Sequence, residues 1–350
     1  MNALEPRPEL YNVPFTTDAF NEMPYRQLGR TGLRASVIGL GTWKFGYPET
    51  GDGARVDEAE AMQILDRAIE VGVTFWDTAN RYNAASGNSE RVLGKWFAAN
   101  PDQRRNVVLA TKIFGGMDGT TPNHSRLGRL NIIESVYACL ERLQIDCIDL
   151  LYFHRFDATT PVEESLCAIE DLVRQDTIRY LGVSNFSPDQ LTLYQAAEQS
   201  LSCRVRIAAV QNRYDILRTE DAEHAGALDY CATNGLALVP YSPLAMGLLT
   251  DRYLDPEAVG PGDRLYDEGL LDKMAPEALL ARIRRLAELA RSWDLTLSQL
   301  ALAYTLTLPG MGPMIPSSSS VSQLEANAAA GRVTLEATQI EAVRAELTRA

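Results

Sequence analysis

Alternation constrains this chain most. Short apolar runs stand at Val37–Leu40, Thr74–Asp77, Val107–Thr111, Ile148–Phe153, Ile178–Val183, Ile207–Val210, Ala237–Tyr241 and Met314–Pro316. Between them, apolar residues recur at helical spacing over Glu58–Val71, Ser89–Ala99, Leu130–Leu143, Pro161–Gln175, Pro188–Gln199, Asp221–Thr233 and Val321–Ala330. A strand that is followed by a helix re-enters its sheet by a crossover, so neighbouring strands run parallel and both sheet faces are buried. Eight such strands in 350 residues predict the α/β class and a closed (β/α)8 TIM barrel. A doubly wound open sheet competes, but its dinucleotide fingerprint fails: after Gly39-Leu40-Gly41 a third glycine is needed where Lys44 stands. No G-x-x-x-x-G-K-[ST] phosphate loop occurs either.

Residues 1–24 read as an irregular arm and residues 25–350 as one barrel domain. Tyr25–Ala35, with two glycines, is expected to form a hairpin. Ala275–Leu308 holds two further amphipathic helices and Glu336–Thr348 one more, so additional C-terminal helices are expected. Leu244–Ala275, rich in Gly, Pro and Asp, reads as a long loop over one barrel end.

Charge and rare residues narrow the function. A net charge of −13 argues against a nucleic-acid or anionic-lipid surface. His124, His154 and His224 show no H-x-H or H-E-x-x-H spacing, and Cys139, Cys147, Cys167, Cys203 and Cys231 form no C-x-x-C pair. These cysteines read as reduced core thiols and no metal is expected. His124 and His224 read as surface or loop residues. No secretory signal and no apolar run of about 20 residues is present, so a cytoplasmic protein without membrane partner is expected. Nothing in the sequence reports the oligomeric state. Lysine occurs only at 44, 95, 112 and 273, which makes a lysine that closes an apolar strand conspicuous.

Barrel chemistry sits at the carboxyl ends of strands. There the sequence places Gly41, Thr42 and Trp43, then Asp77 and Tyr82, Lys112, His154, Ser184 and Asn185, Gln211 and Asn212, Tyr241 and Ser242, and Ser317–Ser320. Asp77, Tyr82, Lys112 and His154 come from three successive units and suit proton transfer to an oxygen. A free phenol with pKa of roughly 10 is a poor acid and a poor base at neutral pH. A nearby ammonium is expected to lower that value, a carboxylate to hold the ammonium, and an imidazole to orient the substrate oxygen. Lys112 in an apolar strand is costly without a partner, which favours a functional reading. Trp43 and Phe114 are candidate pocket walls that meet substrate together with Tyr82 and His154.

The motifs FWDTANRY (Phe75–Tyr82), LATKIF (Leu109–Phe114), YFHRFD (Tyr152–Asp157), LGVSNFS (Leu181–Ser187), VQNRYDIL (Val210–Leu217), VPYSPLAMGLL (Val239–Leu249) and IPSSSSVSQLEAN (Ile315–Asn327) stand in order and at barrel spacing. Together they resemble the aldo-keto reductases from about residue 25 to about 330. The resemblance implies an NAD(P)(H)-dependent reductase that interconverts a small-molecule carbonyl and its alcohol. It makes Tyr82 the general acid/base, with Asp77, Lys112 and His154 completing a catalytic tetrad. It assigns Ser184, Asn185 and Gln211 to the nicotinamide carboxamide and Tyr241 to stacking on the ring. Ser242, Leu244 and Gly247 fall at the pyrophosphate, and Ser317, Ser318, Ser319, Gln323 and Asn327 at the adenosine end. Gly41, Thr42 and Asp77 are counted with the cofactor contacts. NADP(H) is the favoured cofactor and NAD(H) the second choice, because no Lys or Arg occurs between Gly310 and Ala330 to clamp a 2′-phosphate. The alternative reading is a cofactor-sensing regulatory subunit of the same fold with slow turnover.

Overall fold

A computed structural model describes residues 18–201, 205–255 and 259–349. The chain opens with an antiparallel sheet of β1 (Ala19–Phe20), β2 (Met23–Gln27) and β3 (Arg34–Ser36). β2 and β3 form the expected hairpin, with Tyr25 opposite Ser36 and Gln27 opposite Arg34. Part of the segment read as an irregular arm is therefore strand, while residues 1–17 lie outside the described residues. Gly29 is required in the turn: its φ is +57°, and a Cβ there would stand 2.6 Å from the Ala208 carbonyl oxygen. That close approach lets Leu28 and Ala35 pack with Phe75, Leu150, Ala208 and Ala237 inside the barrel. The hairpin thus plugs the amino end, and the opposite end is left for chemistry.

Seven parallel strands make the wall: β4 (Leu40–Gly41), β5 (Phe75–Asp77), β6 (Val108–Ile113), β7 (Ile148–Phe153), β8 (Ile178–Ser184), β9 (Ile207–Gln211) and, after a small hairpin of β10 (Tyr214–Asp215) and β11 (Thr219–Glu220), β12 (Ala237–Leu238). Their spatial order is β12-β9-β8-β7-β6-β5-β4. Residues 311–317 close the ring. Gly312 N donates to Leu238 O at 2.7 Å on one side; on the other, Gly39 N donates to Met314 O at 2.6 Å and Gly41 N to Pro316 O at 3.1 Å. Pro313 and Pro316 have no N–H to give, which leaves this eighth segment as isolated bridges instead of a continuous ladder. The fold is the expected α/β barrel.

With one exception the helices form where the periodicity placed them, and side-chain caps set several of their starts. Asp57 accepts from Glu60 N at the start of Glu58–Glu70, which buries Ala61, Ile64, Leu65 and Ala68 at one-face spacing. Ser187 with Gln190 and Thr296 with Gln299 form capping boxes. The helix expected from Asp221 starts at Ala227 instead. The Glu220 carboxylate at the end of the β10–β11 hairpin accepts from Gly226 N and Leu228 N, and so fixes the start there. Helices Glu277–Arg291, Leu297–Leu306 and Ala337–Thr348 build a second apolar cluster. Leu248, Leu249, Tyr253 and Leu265 of the long loop insert into that cluster, so the loop is anchored over the barrel and carries short helical turns such as Arg264–Asp267. Cys139, Cys147 and Cys231 are buried free thiols; Cys167 is free but exposed, against the expectation of a core position, and Cys203 lies outside the described residues. His124 is in a loop turn, whereas His224 is buried. Among the described residues no helix is long and apolar enough to cross a membrane.

Candidate active site

β5 ends on Asp77 and β6 carries Lys112 beside it, both 1% exposed. The Lys112 Nζ donates to Asp77 Oδ1 at 2.5 Å, to Thr78 O at 2.8 Å and to the Tyr82 hydroxyl at 2.6 Å. Three acceptors match the three protons of an ammonium. Burial lowers the Lys112 pKa, and Asp77 acts against that shift. The other carboxylate oxygen of Asp77 accepts from Gln211 Nε2 at 2.7 Å, so the buried charge is held from two sides.

Tyr82 differs from expectation. Burial, and after it Asp77, push its phenol well above the ordinary value, so it is a protonated group at neutral pH. Its hydroxyl stands 3.3 Å from Asp77 Oδ1, long enough for its proton to turn toward the cleft. The chain after it is strained: Asn83, Ala84 and Ala85 have φ of 54°, 56° and 59°. For L-residues this left-handed region costs roughly 1–2 kcal/mol each. The Asn83 amide, donating to Phe45 O at 2.7 Å, helps to hold the turn and with it the phenol.

His154 follows β7, with its ring edge-on to Tyr82 at 6.2 Å between centroids. Burial first, then the charges of Lys112, Arg155 and Arg81, depress its pKa to about 3, so the imidazole is neutral. Its carbonyl accepts from Asn185 Nδ2 at 3.0 Å. Asn185, in the left-handed region at φ 59°, in turn accepts from the Tyr241 hydroxyl at 2.9 Å. Asn212 is fully buried and brackets Phe186, accepting from its N–H at 3.2 Å and donating to its carbonyl at 2.9 Å. These bonds tie the ends of β7, β8 and β9 and the segment after β12 into one rim.

The rim surrounds a cleft of about 790 Å³. Asp77, Tyr82 and His154 line it, as do Ser184, Asn185, Gln211 and Tyr241. Gly41, Trp43, Ser242, Leu244, Gly247, Ser317, Ser318, Ser319, Gln323 and Asn327 complete the sequence-named set on its walls. Three named residues do not face it. Lys112 is behind Tyr82 and reaches the cleft only through the phenol. Thr42 is fully buried, and its hydroxyl donates to Asp77 O at 2.9 Å and meets Ser89 Oγ at 2.9 Å. Phe114 packs on the hydrophobic core. Ser320 caps Val321–Ala330, whose first turn and Asn327 hold Ser318 and Ser319 by hydrogen bonds. Sequence reading singled out none of the cations Lys44, Arg55, Arg252 and Arg264 on the same cleft, although Arg252 and Arg264 lie in the Leu244–Ala275 loop expected over this end, and Lys44 is one of few lysines and directly follows Trp43. Among the described residues no three His, Cys, Asp or Glu side chains converge at metal-binding distance.

A buried ammonium against a phenol, with a neutral imidazole beside it, suits delivery of a proton to an oxygen in the cleft. Comparison with known proteins agrees in kind. The model of the Aldo/keto reductase family matches residues 37–347. A probable voltage-gated potassium channel subunit beta from Arabidopsis thaliana is 32% identical over 308 residues, covering 87% of this chain and 90% of the relative. L-glyceraldehyde 3-phosphate reductase from Escherichia coli is 30% identical over 321 residues, covering 89% and 88%. An aldo-keto reductase from Strobilurus tenacellus is 32% identical over 328 residues, covering 92% and 91%. On this match, over most of its length, the chain belongs to the aldo/keto reductase family of oxidoreductases.

Proposed function

We propose that this protein is an NAD(P)(H)-dependent carbonyl reductase in which Tyr82 is the general acid in reduction and the general base in alcohol oxidation. The observation that carries the reading is the 2.6 Å contact from Lys112 Nζ to the Tyr82 hydroxyl, backed by the buried Asp77 carboxylate at 2.5 Å. A bound nicotinamide dinucleotide supplies the hydride. Lys112 steadies the phenol oxygen as its proton leaves, and Asp77 holds Lys112 charged. His154, neutral, accepts or donates a hydrogen bond at the substrate oxygen. Phe114, partly buried, packs on the hydrophobic core and does not line the cleft, so Trp43 is the better substrate wall.

The cleft fits such a dinucleotide. Its volume of about 790 Å³ and its polar lining suit the ligand, and its wall is tight at Gly41, where a Cβ would stand 3.0 Å from Ile315 O and from Ser317 Oγ. Ser184, Asn185 and Gln211 would hold the carboxamide and Tyr241 the ring. Ser242, Leu244 and Gly247 would line the pyrophosphate; Ser317, Ser318, Ser319, Gln323 and Asn327 would take the adenosine end. NADP(H) is our first choice and NAD(H) our second, and fluorescence titration with NADPH and NADH decides. Tyr82→Phe should bind the cofactor as before and lose about 10²–10⁴-fold in turnover of simple aldehydes. Near-full activity in that variant overturns the proposal.

A second reading, a cofactor-sensing regulatory subunit, draws support from the relatives named as potassium channel beta subunits. Steady-state turnover on aldehydes favours the enzyme; slow turnover with assembly onto a membrane complex favours the sensor.

A further inference from the structure

One buried carboxylate has no part in this reading. Glu90 stands in the first turn of the helix Asn88–Ala99 and is 0% exposed. A carboxylate taken wholly out of water is costly unless its oxygens are bonded. Both are. Glu90 Oε1 accepts from the Thr111 hydroxyl at 2.6 Å, and Oε2 accepts from Arg142 Nε at 2.7 Å. Arg142 comes from the helix Arg129–Leu143 and also donates through Nη1 to Asp118 Oδ1 at 2.7 Å. Gly87 leaves room for it: a Cβ there would stand 2.7 Å from Arg142 Cδ.

What this pair holds is the stretch that carries the lysine. Successive side chains of a strand turn to opposite faces, so on β6 Lys112 reaches Asp77 while Thr111 meets Glu90 of the outer helix. Asp118 lies in the loop after β6. Glu90 and Arg142 therefore grip residues 111–118 at both ends. Ser89, the neighbour of Glu90, serves the other side of the lysine. Its hydroxyl stands 2.9 Å from that of Thr78, whose carbonyl accepts from Lys112 Nζ at 2.8 Å. Burial lowers the Lys112 pKa, and Glu90, after Asp77, works against that shift. A buried ion pair can often be replaced by apolar side chains of similar volume without loss of stability, so packing alone does not call for charge at this place.

We propose that Glu90 is a positioning residue for carbonyl reduction: through Thr111 it fixes Lys112 against the Tyr82 hydroxyl, and Arg142 holds Glu90 in place. The ammonium helps only where it meets the phenol oxygen as that oxygen gains charge. A misplacement of about 1 Å in such a contact costs on the order of 10²-fold in rate. A strand end open to loop motion does not give that accuracy by itself, and a bonded partner behind it does.

The proposal rests on the reductase reading, and its test separates the two. Thr111→Val keeps the shape, removes the hydroxyl that joins β6 to Glu90 and leaves the Glu90–Arg142 pair in place. Thr111→Ser returns the hydroxyl. With the full chain, NADPH and 4-nitrobenzaldehyde, Thr111→Val should lower kcat about tenfold, with KM and the fluorescence-read NADPH Kd within about twofold of wild type. Thr111→Ser should keep kcat within about threefold. Glu90→Leu with Arg142→Met removes both charges together and should show the same loss in kcat, and adding Thr111→Val to it should cost nothing more. Where that pair does not fold, the two Thr111 variants decide alone. A kcat near wild type in Thr111→Val overturns the proposal. So does a loss that Thr111→Ser does not restore, or one that KM and the NADPH Kd share, because a general loosening of the fold would then be the cause. If wild type reduces no aldehyde, the reductase reading fails, and NMR judges the positioning. With four lysines labelled with nitrogen-15, the Lys112 Nζ signal is assigned by its absence in Lys112→Met. Its proton exchange should be slow in wild type and in Thr111→Ser and faster in Thr111→Val. An unchanged signal in Thr111→Val, or none in wild type, ends the proposal.

Discussion

Lys112→Met tests the centre of the site. The substitution keeps much of the side-chain volume and removes the charge. It leaves the Asp77 carboxyl without its ammonium at 1% exposure, with its Gln211 bond at 2.7 Å and the longer Tyr82 contact at 3.3 Å, and it strips a donor from Thr78 O. Removing one partner of a buried ion pair costs about 3–5 kcal/mol, and the geometry here, with three bonds lost from one ammonium, points to the upper half of that range. Pairing it with Asp77→Asn removes the stranded carboxyl, so the double variant should recover most of that loss in urea unfolding. Turnover should not recover: both variants lack the ammonium that stabilises a developing phenolate, and each should fall about 10²–10⁴-fold with aldehydes. A single variant within about 1 kcal/mol of wild type would refute the claim that the buried Asp77 carboxyl depends on Lys112 as its partner. Activity returning with stability in the double variant would refute the catalytic part.

The Tyr82→Phe experiment given above checks the acid itself. His154 has an ordinary pKa near 6.5 and is depressed to about 3, so between these values the unfolded chain binds more protons than the native one. Stability should therefore fall as pH drops from 6.5 toward 3, and this group should add no slope above 6.5. Its ring keeps part of its surface on the cleft, so the loss is at most about 3 kcal/mol after discounting for solvent. Nitrogen NMR of His154 at pH 5 should show a neutral imidazole. Gly94→Ala should destabilise the helix Asn88–Ala99 in spite of alanine's better propensity. The new Cβ would stand 2.2 Å from Arg142 O, which costs at least about 2 kcal/mol against about 1 kcal/mol of helix gain. Thermal melting reads the net sign.

How legible these features are in the sequence depends on what decides them. β7 runs over Ile148–Phe153 as its apolar run indicates, because a strand buried on both faces leaves a continuous signature. β12 is two residues long where five were expected: Pro240 cannot donate to a ladder. The contact of Lys112, Asp77 and Tyr82 is legible because successive parallel strands bring their carboxyl ends together whatever the loops do. Thr42 and Phe114 were named by position in a motif, and position does not tell which way a side chain turns from a strand end. Arg264 is not singled out within the Leu244–Ala275 loop for a different reason. It is remote in sequence from Trp43, and only the anchoring of Leu265 in the second apolar cluster brings it to the cleft.

The direction of the Tyr82 shift carries the last step. Neighbours are readable from motifs, but depth is not, and here depth dominates: burial raises the phenol pKa although an ammonium lies 2.6 Å from its oxygen. Lys112 is therefore not needed to make a phenolate in the resting site. Its bond to the phenol oxygen strengthens as that oxygen gains charge, and only such a difference between ground and transition state raises a rate. A phenol of this kind is ready as an acid over the whole neutral range and short of the base form that alcohol oxidation needs. Carbonyl reduction should then be flat from about pH 6 to about pH 9, and oxidation should climb with pH over the same span, by up to about tenfold per unit. A reduction profile that loses half its rate near neutrality, in a form that Tyr82→Phe abolishes, would mean that the ammonium outweighs burial after all.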